Sequence, residues 1–170
     1  DWAGATAKML SRDPDSGACS MLLRLPTGFA ATAGPQSRSL ECLVIDGSAQ
    51  IDATPLGLDA YADVPAGASA ARLGSERGAV LLAFFGPAQN AAPGADVPSA
   101  DVRVIDTHNA PWTRHDIDPS VQFLNLSHKV LRHDAACGEK TLLLSTGAQT
   151  HPHDWREARL MHECAEEMYL

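Results

Sequence analysis

Basic residues are scarce: 13 Lys and Arg stand against 21 Asp and Glu, a formal charge of −8 on 170 residues. A chain of that sign lacks the positive footprint that holds a phosphate backbone, so no nucleic acid and no anionic membrane surface is expected as a partner. Long apolar runs are missing too. The longest, Ala79 to Phe85, falls well short of the roughly 20 residues that cross a bilayer and has the length of a buried strand. No charged segment leading into an apolar one opens the sequence, so nothing in it supports secretion. The four cysteines, Cys19, Cys42, Cys137 and Cys164, lie far apart and form no CxxC pair. Neither a structural zinc cage nor a disulfide framework is expected, and the expected location is a reducing, cytoplasmic one. The turns Thr27-Gly28 and Ser145-Thr146-Gly147 lack the Lys of a phosphate loop. No Gly-x-Ser-x-Gly elbow is present, which leaves a serine hydrolase without support. Aromatics are only 5%, whereas hydrophobic residues reach 45%, so a core must rest on Leu, Val, Ile and Ala.

What is there is a series of short apolar runs broken by Gly, Pro and Asp. Met21 to Leu25 stops at Pro26-Thr27-Gly28, and Leu43-Val44-Ile45 stops at Asp46-Gly47, a dipeptide that joins antiparallel strands. Ala49 to Ala53 alternates and ends before Pro55, while Ala60 to Val64 ends at Pro65-Ala66-Gly67. Arg72-Leu73 and Ala79 to Phe85 flank a polar connection, and Val102 to Ile105 reads as one more strand. Closely spaced strands without a convincing helix predict an all-β sandwich or barrel. Gly86 to Ser99, rich in Ala, Pro and Gly, reads as a connecting segment. Asn109 to Ser127 reads as loop, with Pro111 and Pro119 opposing regular structure.

An internal repeat is the most informative feature. Lys8-Met9-Leu10-Ser11-Arg12-Asp13, then Gly17 and Met21-Leu22-Leu23, recurs as Lys129-Val130-Leu131-Arg132-His133-Asp134, then Gly138 and Leu142-Leu143-Leu144. Every pair sits at one offset of 121 residues, without a gap. A strand, a turn built on Asp and Gly, and a second strand are thus written twice, as in a duplication. With a five-residue insertion, Glu167 to Leu170 falls opposite Glu41 to Val44, which predicts that the chain stops inside the third strand of the second copy.

The spacing of these turns resembles the cupin superfamily, small jelly-roll β-barrels. Gly28 is followed by Gly34-Pro35-Gln36, Glu41 and Gly47, and Gly57 by Pro65-Ala66-Gly67 and Ala70, which is the skeleton of the two cupin segments. The resemblance implies one barrel over residues 1–105, a linker over 106–127, and the opening part of a second cupin repeat over 128–170. The three metal-holding histidines of the family are replaced by Gly34, Gln36 and Ala70, with Glu41 alone retained, so the first barrel is expected to hold no metal. The run from Met161 to Leu170 is similar to the metal segment of bicupins related to acetylacetone-cleaving dioxygenases. It points to His162 and Glu167 as metal ligands, with Glu166, His151 and His153 as weaker candidates. Imidazole and carboxylate together suit Fe, Mn, Ni or Zn. His151-Pro152-His153 also reads as a polar loop, since Pro opposes a central strand.

Cys164 reads as a small buried hydrophobe rather than a nucleophile. His108, His115, His128 and His133 read as solvated or capping residues on linker and turn positions. Trp2, Trp112 and Trp155 read as packing anchors between the copies or as the lining of a ligand pocket, packing being the commoner outcome. Two functions are open on this reading. One is a bicupin enzyme, a metal-dependent dioxygenase or isomerase acting on a small organic molecule through its second repeat. The other is a metal-free ligand-binding or sensory cupin. A homodimer is expected, because a partial second sheet exposes strand edges.

Overall fold

A computed structural model describes residues 2–32, 38–68, 72–87, 101–115, 117, 119–135, 138–148 and 167–169. The chain divides into two compact units, Asp1–Ala110 and Pro111–Leu170. No helix among the described residues is long and apolar enough to cross a membrane.

Among its described residues the first unit holds ten strands: β1 (Thr6–Arg12), β2 (Cys19–Leu25), β3 (Phe29–Thr32), β4 (Leu40–Gly47), β5 (Ala49–Ile51), β6 (Thr54–Leu56), β7 (Ala60–Val64), β8 (Arg72–Ser75), β9 (Ala79–Phe85) and β10 (Arg103–Asp106). Each apolar run foreseen between Met21 and Ile105 lies in or overlaps one of them. Their pairing is nested: β5 with β6, β4 with β7, β3 with β8 and β2 with β9, all antiparallel. One long two-stranded ribbon has therefore been rolled up, which is the jelly roll that the cupin resemblance implies. Rolling also joins β4 to β9 and β5 to β8, giving sheets ordered β1-β2-β9-β4-β7-β10 and β3-β8-β5-β6.

Alternation along the strands decides what fills the roll, because successive side chains point to opposite faces. Leu23 and Leu25 of β2, Leu40, Cys42 and Val44 of β4, Ala60, Ala62 and Val64 of β7, and Ala79, Leu81 and Ala83 of β9 form one cluster with Phe29, Ile51, Leu56 and Leu73. Register puts Leu81 between Leu23 and Val44 on its two neighbours. Alanines on β7 and β9 keep the wall narrow where leucines face it. Trp2 caps the cluster with its ring tilted 6.2 Å from Phe29 and 6.0 Å from Phe85.

Gly47 ends β4 with φ of 73°, and a Cβ there would lie 2.3 Å from the carbonyl oxygen of Gly78. Only glycine tolerates both the left-handed backbone and that approach.

In the second unit, Pro119–Leu124 forms a short 3-10 segment kinked at Val121. The loop reading of Asn109 to Ser127 is corrected here: Pro119 opens this segment, since its missing N–H is not needed in a first turn. β11 (Leu126–His133) and β12 (Lys140–Thr146) follow as an antiparallel hairpin. His128 and His133 lie within β11 rather than in turns. The hairpin repeats β1–β2 bond for bond. Thr6 faces Arg24 and, at the same offset, Ser127 faces Ser145. The bulge between Met9 and Ser11 recurs between Val130 and Arg132. Gly17 N–H donates to Asp13 O at 2.9 Å, and Gly138 N–H to Asp134 O at 2.7 Å. The duplication seen in the sequence is thus present as geometry.

The surroundings of the two hairpins differ. Every residue of β1 is exposed. Lys129 and Leu131, the counterparts of Lys8 and Leu10, are buried, and the Lys129 ammonium lies 4.6 Å from the centre of the Trp112 ring. That contact lets a lysine be covered while its charge meets an aromatic face.

Replacing Gly47 by Ala is expected to lower unfolding stability by about 2 kcal/mol or more through backbone strain and the carbonyl clash. Gly57→Ala, where an added Cβ meets nothing within 4 Å, should change it by less than about 0.5 kcal/mol. Urea denaturation of the two variants checks the contrast.

Candidate functional site

The described wall of the first barrel offers nothing to hold an ion. Its inward side chains are Leu, Val, Ala, Ile, Phe and Cys42. No group of three His, Cys, Asp or Glu suited to a metal occurs among the described residues. Cys42 is 1% exposed, and burial pushes its thiol from the usual 9.0 up to about 12. At neutral pH it is a packed thiol, not a thiolate.

Glu41 corrects the sequence reading. The cupin resemblance sets it at the glutamate position of the first segment. Leu40, Cys42 and Val44 face the interior, so the pleat sends Glu41 to the opposite face of the sheet. There it is buried and accepts a hydrogen bond of 2.5 Å from the Tyr61 hydroxyl, itself 1% exposed. Register aligns Ser20, Phe84, Glu41, Asp63 and Arg103 in one row across five strands of that face. A buried carboxylate is tolerated because hydrogen-bond donors replace its water. Nothing in the sequence pattern singled out Tyr61. Gly34, Gln36 and Ala70, the other positions of the first segment, lie outside the described residues.

Of the candidate ligands in the second repeat, His151, His153, His162 and Glu166 lie outside the described residues, as do Cys164 and Trp155. Glu167 is described: it is exposed and accepts a hydrogen bond from the Tyr169 hydroxyl. Residues 167–169 belong to no strand, contrary to the expectation of a third strand there. A strand needs neighbours for its backbone groups. β4 has β7 and β9, and among the described residues no strand follows β12 to serve in that way.

The second unit contains a cleft of about 270 Å³ lined by Arg114, Ile117, Gln122, Asn125 and Leu126. Arg114 Nη2 donates to Asn125 Oδ1 at 2.5 Å. Asn125 sits in the left-handed region with φ of 50°, a conformation that asparagine accepts more readily than most residues. Sequence reading missed this cleft because its residues come from a stretch with no periodic signal. Asn125, just before a strand, was the one available clue.

His108 and His115 lie on exposed positions. His108 Nε2 stands 3.3 Å from Asp59 Oδ2 in an exposed pair, and the His115 N–H donates to Thr113 Oγ1 at 3.1 Å.

A protein-family model described as "Domain of unknown function (DUF4437)" matches residues 1–170. Among solved structures, one titled "a putative dioxygenase", from Nostoc punctiforme, shares 27% identity with a TM-score of 0.64. The match covers 82% of this chain and 50% of that one. A "Putative Glyoxylate Induced Protein" from Pseudomonas aeruginosa is 14% identical with a TM-score of 0.56, over 79% of this chain and 51% of its own. A cupin 2 conserved barrel domain protein from Rhodopseudomonas palustris matches 51% of this chain and 63% of its own at 11% identity and a TM-score of 0.41. The chain spans about half the length of the first two proteins. No curated protein matches it.

The raised Cys42 thiol makes a pH prediction. Unfolded chains lose this proton above pH 9, whereas the folded state keeps it until about 12. Deprotonation therefore favours unfolding, and stability falls between pH 9 and 12, by up to about 4 kcal/mol from this group. Cys42→Ala should lose that part of the slope in denaturation curves taken across the range, while being less stable at neutral pH.

Proposed function

Because this chain belongs to the DUF4437 family, whose description assigns no function, we propose a role from its own architecture. It is the first barrel and the opening of the second in a bicupin acting on a small organic molecule. The ion-dependent chemistry, of a dioxygenase or isomerase kind, belongs to the second repeat. The observation that carries this reading is the hairpin written twice with the same register, bulge and turn bonds. The structure titled "a putative dioxygenase" supports it, being twice as long as the matched region.

The two repeats divide the labour. The described interior of the first barrel is packed with apolar side chains, and the retained Glu41 faces away from it. That donor set does not fit a transition metal. The second repeat carries His151, His153, His162, Glu166 and Glu167 within 17 residues. His162 and Glu167 are the pair assigned as ligands, and an ion held there would polarise a substrate oxygen or activate dioxygen. A small-molecule substrate, a homodimer and a cytoplasmic setting complete the proposal.

The test is elemental analysis of the untagged full-length protein, since a polyhistidine tag captures nickel. About one Fe, Mn, Ni or Zn per chain is expected, lost in His162→Ala and kept in Glu41→Gln. Absence of metal from the wild type, or its retention in His162→Ala with loss in Glu41→Gln, would overturn the reading. The first of these outcomes favours a metal-free ligand-binding or sensory cupin.

A further inference from the structure

We propose that the cleft of the second unit is a carboxylate-binding subsite for a small organic acid, with Arg114 holding the anion and Asn125 positioning Arg114. That this acid is the substrate rests on the reading of the second repeat as the reactive one; the anion binding itself does not.

The first argument is chemical. A guanidinium presents five donors in a planar fork that matches a carboxylate. Among the described residues, which leave out Asp116 and Asp118, the exposed Arg114 donates from Nη2 to Asn125 Oδ1 and pairs with no carboxylate. Gln122 adds an amide to the same lining, and Ile117 and Leu126 supply apolar surface for a short carbon chain. At about 270 Å³ the cleft suits a molecule of a few carbons rather than a drug-sized ligand.

The second argument is that Asn125 is held from every side. Its N–H donates to Gln122 O at 3.0 Å, and its carbonyl accepts from Gly147 N–H at 3.0 Å. Its Nδ2 donates to Ala148 O at 3.1 Å. A Cβ at position 147 would lie 2.3 Å from that Nδ2, so Gly147 is needed to make room for the amide. One asparagine thus ties the Arg114 loop, the end of the 3-10 segment and the exit of β12 into a fixed frame, which is how a binding group is kept in place.

The third argument comes from the duplication. At the offset of 121 residues, Asn125 and Gly147 correspond to Gly4 and Pro26. Gly4 has the same left-handed backbone, with φ of 88°. The hairpin therefore needs only a left-handed residue at this place, and glycine next to proline satisfies it. The amide, the space cleared for it and the arginine it holds are extra to folding. Arg114 and Asn125 lie just ahead of the repeat that carries His151, four residues beyond Gly147.

The experiment titrates succinate, and its neutral diamide succinamide, into full-length protein stripped of metal with EDTA, read by calorimetry and by NMR of the side-chain amides. Saturable succinate binding in the millimolar range is expected, at least tenfold weaker in Arg114→Gln and partly restored in Arg114→Lys. Asn125→Gly, which keeps the backbone conformation of the first repeat, should weaken it while leaving the hairpin amides protected from exchange. Succinamide should not bind. Equal succinate affinity in Arg114→Gln, equal binding of succinamide, or no saturable binding to the wild type would overturn the subsite. Because metal is absent throughout, such a result leaves the bicupin reading standing, and that reading fails on the metal analysis instead.

Discussion

Backbone hydrogen bonding governs this molecule more than any side chain does. A strand presents a row of donors and acceptors that cannot be buried unpaired. In the first unit the difficulty is solved by rolling one ribbon on itself, so that β9 lies between β2 and β4 and β8 between β3 and β5. Two faces then close over a core of aliphatic residues, and Leu81 and Val44 end at 0% exposure. The low aromatic content is no handicap in such a narrow roll, where Ala62 and Ala83 fill space that a ring would overcrowd.

The same pleat that closes the core decides which chemistry is available. Glu41 is flanked by two inward residues and therefore points outward, where it bonds Tyr61. A shift of one residue would place it among Leu, Val and Ala without a donor, at the cost of a desolvated charge. Spacing between glycines could locate Glu41 along the chain to within a residue or so. Facing depends on parity, and parity demands the register of β4 against β7 and β9.

Duplication has kept what the hairpin needs and released the rest. The Asp-to-Gly turn, the bulge and the register are preserved because they set backbone geometry. Around them the copies part: Lys8 is exposed while Lys129 meets Trp112, and Gly4 is plain where Asn125 organises a cleft.

Alternating and short apolar runs, the Gly and Pro breaks between them and the 121-residue repeat were enough to identify an all-β chain, most of its strands and its duplicated hairpin, but not β3, nor β6, where Pro55 was read as a break. Those are local properties: strand propensity, turn conformation and periodicity act within a few residues. The nested pairing, the outward turn of Glu41, its union with Tyr61 and the meeting of Arg114 with Asn125 were decided only by the tertiary structure. Glu41 and Tyr61 are 20 positions apart and Arg114 and Asn125 are 11, and such contacts depend on where whole strands and loops are carried, which no local rule specifies.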